Sequence, residues 1–359
     1  MLTAKVSFLE EFEMKKCSKL LALLMALAMV LALSACSSSD SGASSTADSQ
    51  TTDSQTSAEP SDEPAGEQAQ YVVGISQLVT HDALDAATQG FQDALNDLLP
   101  GQVTFDYQNA ANDSATCSTI ANGFVSANVD LIMANGTPAL QAAATATADI
   151  PILGTSITEY GVALGISNFS GTVGGNVSGT SDLAPLDQQA AMIQEWYPDA
   201  KTVGLLYCSN EANSQYQVDT VQAYLEDLGY TCTQYAFSDS NDIAAVCQTA
   251  AAASDVLYVP TDNTAAANTG IIDNICRGNT PVFCGEEGIC EGCGVATLSI
   301  SYYTIGYQTG EMAAQILTGQ ADISTMAIQY APEFTKEYNE AICADLGLTI
   351  PDGYTAIGQ

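Results

Sequence analysis

From residue 71 onward, short apolar runs alternate with longer stretches whose apolar residues recur at helical spacing, and this alternation occurs twice. In the first round 71–76 reads as a buried strand, 82–99 as an amphipathic helix opened by Thr80 or His81, 103–107 as a strand and 114–127 as a helix. Residues 131–134, 137–148 and 150–154 continue it as strand, helix and strand. A stretch rich in Gly, Ser, Thr and Asn, 167–185, interrupts the pattern and reads as loop. The alternation resumes with strands over 202–207, 231–237, 256–259 and 281–284, separated by helices over 214–228, 242–252 and 264–276. Strand–helix–strand order of this kind demands parallel sheets covered by helices on both faces. Two such units of similar size predict an α/β protein of two Rossmann-like lobes with a cleft between them. The first lobe is expected over 70–183 plus about 302–325, and the second over 184–301 plus about 326–359.

In open parallel sheets, ligands bind off the carboxyl ends of the strands, and a cleft between lobes favours small-molecule pockets. Polar side chains gather at those ends. Ser76, Gln77 and Thr80 follow the first strand. Asn135, Gly136 and Thr137 follow the third, with Pro138 in the first helical turn. Thr155, Ser156 and Thr158 follow the fourth. In the second half the corresponding groups are 209–214, Thr261 with Asp262 and Asn263, and Glu286 with Glu287. Each residue is as readily a helix cap as a ligand contact, because Ser, Thr, Asp and Asn are the preferred N-caps. Six clusters facing one cleft nevertheless exceed what capping requires. The candidate ligand contacts are Gln77, Thr137, Ser156, Asn213, Ser214, Asp262 and Glu286.

The first 69 residues carry a different signal. Lys15, Lys16 and Lys19 precede an apolar run over 20–33, and the segment closes on Leu33-Ser34-Ala35-Cys36. That order of charge, apolar stretch and small residues marks a secretory signal over 1–35. The run is short of the ~20 residues a membrane-spanning helix needs. Met14, followed by two lysines, is a more natural start than Met1. A cysteine directly after Leu-Ser-Ala resembles the bacterial lipobox, which makes Cys36 the expected lipidation site. The following 37–69, rich in Ser, Asp and Thr and free of Lys and Arg, reads as a disordered acidic tether. The expected location is therefore the outer face of a bacterial membrane, held by a lipid anchor.

Without the first 35 residues, which hold four lysines and three glutamates, three basic and 39 acidic residues remain, a formal charge of −36. Such a surface repels phosphate backbones and excludes nucleic acid as a partner. It also repels anionic headgroups, which suits a domain held on a tether. Three cations argue against any ligand that needs an arginine clamp. Of 11 cysteines, nine lie beyond Cys36, mostly single within apolar patterns, so free buried thiols are expected rather than a disulfide framework.

The chain resembles ABC-transporter substrate-binding proteins of the tryptophan/tyrosine type. The resemblance rests on Gly74-Ile75-Ser76-Gln77, Thr80-His81-Asp82-Ala83-Leu84-Asp85 and Asn135-Gly136-Thr137-Pro138-Ala139. It continues through Val177-Ser178-Gly179-Thr180-Ser181-Asp182, 206–214, Val259-Pro260-Thr261-Asp262-Asn263, Pro281-Val282-Phe283 with Glu286-Glu287-Gly288, Ala296-Thr297-Leu298 with Tyr302-Tyr303, and 346–351. Two departures are Ser301, where the family commonly has Asp, and the cysteine-bearing 288–293. The resemblance implies a type I periplasmic-binding-protein fold and a monomer that passes an amino acid, aromatic favoured, to ABC permease subunits. The residues agree in part. A ligand carboxylate needs hydroxyls, amides and helix N-termini, which Ser156, Thr137, Asn213 and Ser214 supply. A ligand ammonium needs carboxylates, and Asp262 and Glu286 are placed for it.

An enzyme is the first competing reading, but the single histidine, His81, lacks a partner motif, and no nucleophile elbow or phosphate loop occurs. Glu286 and Glu287 are adjacent and make a poor acid–base pair for glycoside hydrolysis. A metal protein built on Cys290 and Cys293 is the second, and one such pair without a partner pair is a weak signal; a local disulfide or an untethered loop is expected there. A signalling receptor would use the same closing cleft. No catalysis, cofactor or metal is expected.

Overall fold

The computed structural model describes residues 71–358. The signal segment, Met14, Cys36 and the acidic tether lie outside the described residues.

The first lobe runs β1 (Tyr71–Gln77), α1 (Asp82–Leu98), β2 (Val103–Asn109), α2 (Ser114–Ala127), β3 (Leu131–Asn135), α3 (Thr137–Ala146), β4 (Ile152–Ile157), α4 (Tyr160–Leu164) and β5 (Val177–Ser181). With β11 (Gln329–Tyr330) these strands form one parallel sheet in the order β11-β5-β4-β3-β1-β2. The chain then builds α5 (Leu186–Trp196), β6 (Thr202–Cys208), α6 (Ala212–Asp227), β7 (Thr231–Phe237), α7 (Ile243–Ala253), β8 (Val256–Val259), α8 (Asn263–Ala266), α9 (Thr269–Cys276), β9 (Val282–Cys284), α10 (Glu287–Cys293) and β10 (Ala296–Ser299). After α11 (Tyr302–Leu317) and β11 it returns for β12 (Thr335–Tyr338), α12 (Glu340–Leu346) and β13 (Thr355–Ala356). The second sheet has the order β13-β12-β10-β9-β8-β6-β7, with β12 antiparallel to β10.

Every residue of β3 and of β8 is buried, as a strand covered on both faces requires. α1 turns Leu84, Ala87, Phe91 and Leu95, at three- and four-residue spacing, toward the core. α11 lies along α1 with backbones nearly touching. A Cβ on Gly306 would come within 2.0 Å of the Ala87 carbonyl oxygen, so only glycine permits that approach. Met312 and Ala313 of α11 share a core with Val73, Ile75 and Phe91, which places this helix on the first lobe. Because β11 pairs with β5, the last crossing to the second lobe follows Tyr330 rather than falling near residue 326.

Three features differ from the sequence pattern. The Gly- and Ser-rich 167–185, read as loop, contains β5, a fully buried strand. Its hydroxyls are all satisfied internally: Ser178 donates to the Met326 carbonyl, Thr180 pairs with Thr155 and Thr309, and Ser181 donates to the Thr158 carbonyl. The helix expected over 264–276 is broken in two at Asn268, whose side chain donates back to the Thr264 carbonyl and so competes with the helical ladder. The Cys290–Cys293 stretch, expected as a disulfide-closed or untethered loop, is the end of α10, with both thiols free and buried. All nine described cysteines are free.

Candidate functional site

The carboxyl ends of both sheets face each other across the cleft, and the lobes touch there. His81 Nε2 lies 3.2 Å from Asn263 Oδ1, and Asn112 Nδ2 donates to Thr264 Oγ1 at 2.9 Å. Asn263 and Thr264 are presented by a single carboxylate. Glu211, at the mouth of α6, accepts from the Asn263 backbone N–H and side-chain amide and from the Thr264 backbone N–H and hydroxyl, at 2.7–3.0 Å. Burial in this seam holds the His81 imidazole below its ordinary pKa.

The residues expected to contact ligand fall into distinct environments. Gln77 is committed within the first lobe: its amide donates to the Val79 carbonyl and to Asp85, and its carbonyl accepts from Thr88. Thr137 is buried at the first turn of α3. Ser156 sits where the β4–β5 register shifts, with φ +56, in the left-handed region, and its Oγ is buried without a partner. A bulge of this sort re-aims a side chain at the end of a strand, and bulges are frequent beside binding sites. Asn213 donates its amide to the Thr261 carbonyl while its Oδ1 has no partner. Ser214 is fully buried, with its hydroxyl against Asp262. The structure therefore brings Asn213, Ser214 and Asp262 together on the second lobe, with Gln77, Thr137 and Ser156 on the first.

Both carboxylates expected to hold a ligand ammonium are helix caps. Asp262 accepts from the Ala265 N–H with one oxygen and from the Cys208 N–H with the other, at 2.8 and 2.6 Å. Burial and the neighbouring Glu211 push its pKa up to about 8. Glu286 accepts from the Gly288 and Ile289 N–H groups, and burial raises it to about 7, with Glu287 and Asp182 adding to the rise.

A carboxylate outside the sequence-derived set is less satisfied. Asp182, the first residue after β5, is 4% exposed, and its Oδ1 has no hydrogen-bond partner. Its Oδ2 accepts from the Tyr302 hydroxyl at 3.2 Å. Burial pushes Asp182 up to about 6, against the lowering effect of the Thr158 and Tyr302 hydroxyls. Ser76 Oγ and Asn135 Oδ1 are likewise buried and unpartnered at the ends of β1 and β3. Five of the unpartnered buried side-chain atoms thus sit at strand ends or the following turn; the other three, on Trp196, Thr297 and Gln308, do not. Two open grooves of about 370 and 400 Å³ adjoin the cleft, lined by Asp82, Glu286 and Glu291 among others, and none of the five strand-end residues lines them. Among the described residues no group of three or more His, Cys, Asp or Glu is arranged to hold a metal ion. None of the helices there is long and apolar enough to cross a membrane.

Two α/β lobes joined by three crossings, meeting over a seam of buried polar groups, define a solute-capturing protein of the type I periplasmic-binding-protein fold. Residues 72–356 match the family model for ABC transporter substrate binding proteins, and the chain belongs to that family. It is 38% identical over 253 residues to a tyrosine-binding protein of Clostridioides difficile, covering 69% of this chain and 73% of the relative. A Streptococcus pneumonia ABC domain in complex with L-Trp is 31% identical, with a TM-score of 0.76, covering 81% of this chain and all of the other. The ligand-free, open structure of a substrate-binding protein with adhesive properties from Clostridium difficile is 37% identical, with a TM-score of 0.62, covering 80% of this chain and 99% of the other.

Proposed function

We propose that this chain is the extracytoplasmic receptor of an ABC importer, anchored through a lipid on Cys36, and that it captures an aromatic amino acid between its lobes and delivers it unchanged to the permease subunits. The observation that carries the ligand reading is the set of buried, unpartnered polar atoms at the strand ends, Ser76 Oγ, Asn135 Oδ1, Ser156 Oγ and Asp182 Oδ1, with Asn213 Oδ1 in the first turn of α6. Buried polar groups are ordinarily hydrogen-bonded, so a concentration of exceptions at the strand ends marks where a polar ligand supplies the missing partners. The set includes hydroxyl, amide and carboxylate groups, which suits a zwitterion. Aromatic side chains enter through the relatives, one named as tyrosine-binding and one seen with L-Trp.

Calorimetric titration of the purified protein with L-tyrosine, L-tryptophan and myo-inositol tests the ligand class. Saturable binding of an aromatic amino acid and none of the polyol is expected; the reverse would replace the proposal by a polyol receptor. For the anchor, Cys36→Ser should move the protein from the membrane to the soluble fraction or leave it unprocessed. Fractionation and migration identical to the parent would remove the lipid anchor from the proposal.

A further inference from the structure

We infer that Asp182, rather than Asp262 or Glu286, is the carboxylate that receives the ammonium group of the ligand, with Tyr302 holding it in place. The inference rests on the amino-acid reading above and concerns which residue enforces it.

Four buried carboxylates stand at the cleft, and their hydrogen bonds separate them; both oxygens of Glu211 are taken up by Asn263 and Thr264. Both oxygens of Asp262 and both of Glu286 accept backbone N–H groups, which fixes their position and occupies their strongest acceptor directions. Asp182 caps no helix. Its Oδ2 takes the Tyr302 hydroxyl and its Oδ1 has no hydrogen-bond partner, while the nearby Thr158 hydroxyl also favours its charged form. A buried carboxylate oxygen with no partner forfeits its hydration without return, so such groups persist where a ligand or a counter-charge completes them.

The described residues offer no such counter-charge. Their cations are Lys201, Arg277 and Lys336. Arg277 is bound to Asp273 and Asp345, and Lys336 to Glu195, all on the surface. Lys201 is exposed, just ahead of β6 and so at the amino end of that strand, away from the cleft. His81, the one histidine, is held toward its neutral form by burial. Asp182 also raises the pKa of Glu286, so two buried acids repel each other across this part of the cleft. A ligand hydroxyl would satisfy the free oxygen but leave that repulsion untouched. A ligand ammonium relieves both, which favours an amine over a polyol.

Position supports the same assignment. Asp182 follows β5 at the first crossing between lobes, and its backbone N–H is bonded to the Ile157 carbonyl at the end of β4, one residue beyond Ser156. Tyr302 opens α11 directly after the second crossing, and its hydroxyl also engages Thr261 of the second lobe. The carboxylate is thus braced at the hinge side of the cleft, where first-lobe and second-lobe groups converge.

Paired titrations of the full chain and of Asp182→Asn test this, using L-tyrosine and its amine-free analogue 3-(4-hydroxyphenyl)propionate, with L-tryptophan and indole-3-propionate as a second pair. Parent protein is expected to prefer each amino acid strongly over its analogue. Asp182→Asn should lose roughly 30-fold to several-thousand-fold in amino-acid affinity, the range for removing one side of a desolvated charge pair, and far less for the analogue. Folding of the variant is checked by its thermal transition and by Asp182→Glu, which keeps the charge and should retain part of the preference for the amine. Equal loss for amino acid and analogue, or no loss for either, would overturn the assignment while leaving the amino-acid reading intact. Failure of the parent to bind any amino acid would overturn both.

Discussion

The hydroxyl of Tyr302 donates to Oδ2 of Asp182 at 3.2 Å and so joins the start of the first crossing between the lobes to the end of the second. The bond favours the ionised carboxylate, because a donor stabilises the charged form. Tyr302→Phe removes it and should push the Asp182 pKa above the present value of about 6. The ionised fraction then falls, and more so at mildly acidic pH. Amino-acid affinity should drop about tenfold near pH 7.5, by the worth of a hydrogen bond to a charged group, and further at pH 6. Titration calorimetry at the two pH values measures this; a loss that is the same at both would place the effect in hinge packing instead.

Closure has its own hydrogen bonds. His81 caps α1 without a side-chain bond to that helix, and Asn112 occupies a left-handed turn at φ +62, where glycine is tolerated. Removing either side chain therefore costs little within its own lobe and takes away one contact to Asn263 or Thr264. His81→Ala and Asn112→Gly should each weaken ligand binding by up to about tenfold, mainly through faster release, with small change in the unfolding temperature of the empty protein. Stopped-flow release and the solution radius of gyration report the shift. Unchanged release in both variants would mean that these contacts do not hold the closed state.

The buried acids set a pH dependence of stability. Asp182, Glu286 and Asp262 have folded-state pKa values of about 6, 7 and 8, each above the ordinary carboxylate range. Between about pH 4 and pH 8 the folded protein therefore holds protons that the unfolded chain has released, and stability falls as pH rises through that window. The depressed His81 acts in the opposite direction below its ordinary value near 6.5, with one group against three. The empty protein should melt higher at pH 5 than at pH 7.5, by at least about 5 °C. Scanning calorimetry in matched ionic strength settles it; a higher transition at pH 7.5 would mean that these acids are not buried in the protonated form.

The two-lobed architecture was legible because parallel strands covered on both faces leave continuous apolar runs such as Leu131–Asn135, and these announce themselves whatever surrounds them. β5 was not, because Val-Ser-Gly-Thr-Ser has the composition of a loop and becomes a strand only through partners distant in sequence, Thr309 and Met326 among them. Missing that strand hid its end, and with it Asp182, although Asp182 was visible within a family-like string. Asp262 and Glu286 stand just beyond the carboxyl ends of β8 and β9. Which acid caps a helix and which keeps a free oxygen depends on the direction of the following backbone, and composition carries no trace of that.

Cysteine chemistry follows from burial. Eight of the nine described thiols are buried and Cys232 is half-buried; Cys117, Cys208 and Cys343 have pKa values raised to about 11, 12 and 12 by desolvation. Thiolate is the reactive form, so the native protein should react slowly with an aromatic disulfide reagent, at no more than one site, and Cys232 should be that site. All nine should react at once in denaturant. Rapid titration of several thiols in the native state would show that the second-lobe core opens readily.

Gly179 is the residue on which β5 and the turn bearing Ser156 depend. It has φ +143, a conformation that side chains rarely adopt, and a Cβ there would lie 2.0 Å from the Gly154 carbonyl oxygen and 2.4 Å from the Tyr160 hydroxyl. That hydroxyl donates to the carbonyls of Gly154 and Thr180, pinning β4 to β5 where their register shifts. Gly179→Ala therefore adds both backbone strain and a clash against backbone, which cannot rotate away, and should cost about 3 kcal/mol or more. For a lobe of this size that is a fall of roughly 6–12 °C in unfolding temperature. Gly175, with φ +61 and open space where a methyl group would go, provides the control: Gly175→Ala should cost only about 1–2 kcal/mol, the left-handed penalty alone. Because the same contacts aim Ser156 and place Asp182, any Gly179→Ala protein that folds should also bind its amino acid more weakly, whereas Gly175→Ala should bind as the parent does. Thermal unfolding and titration of the two variants side by side measure both effects, and equal behaviour of the pair would show that the β4–β5 contact is not what orders the site.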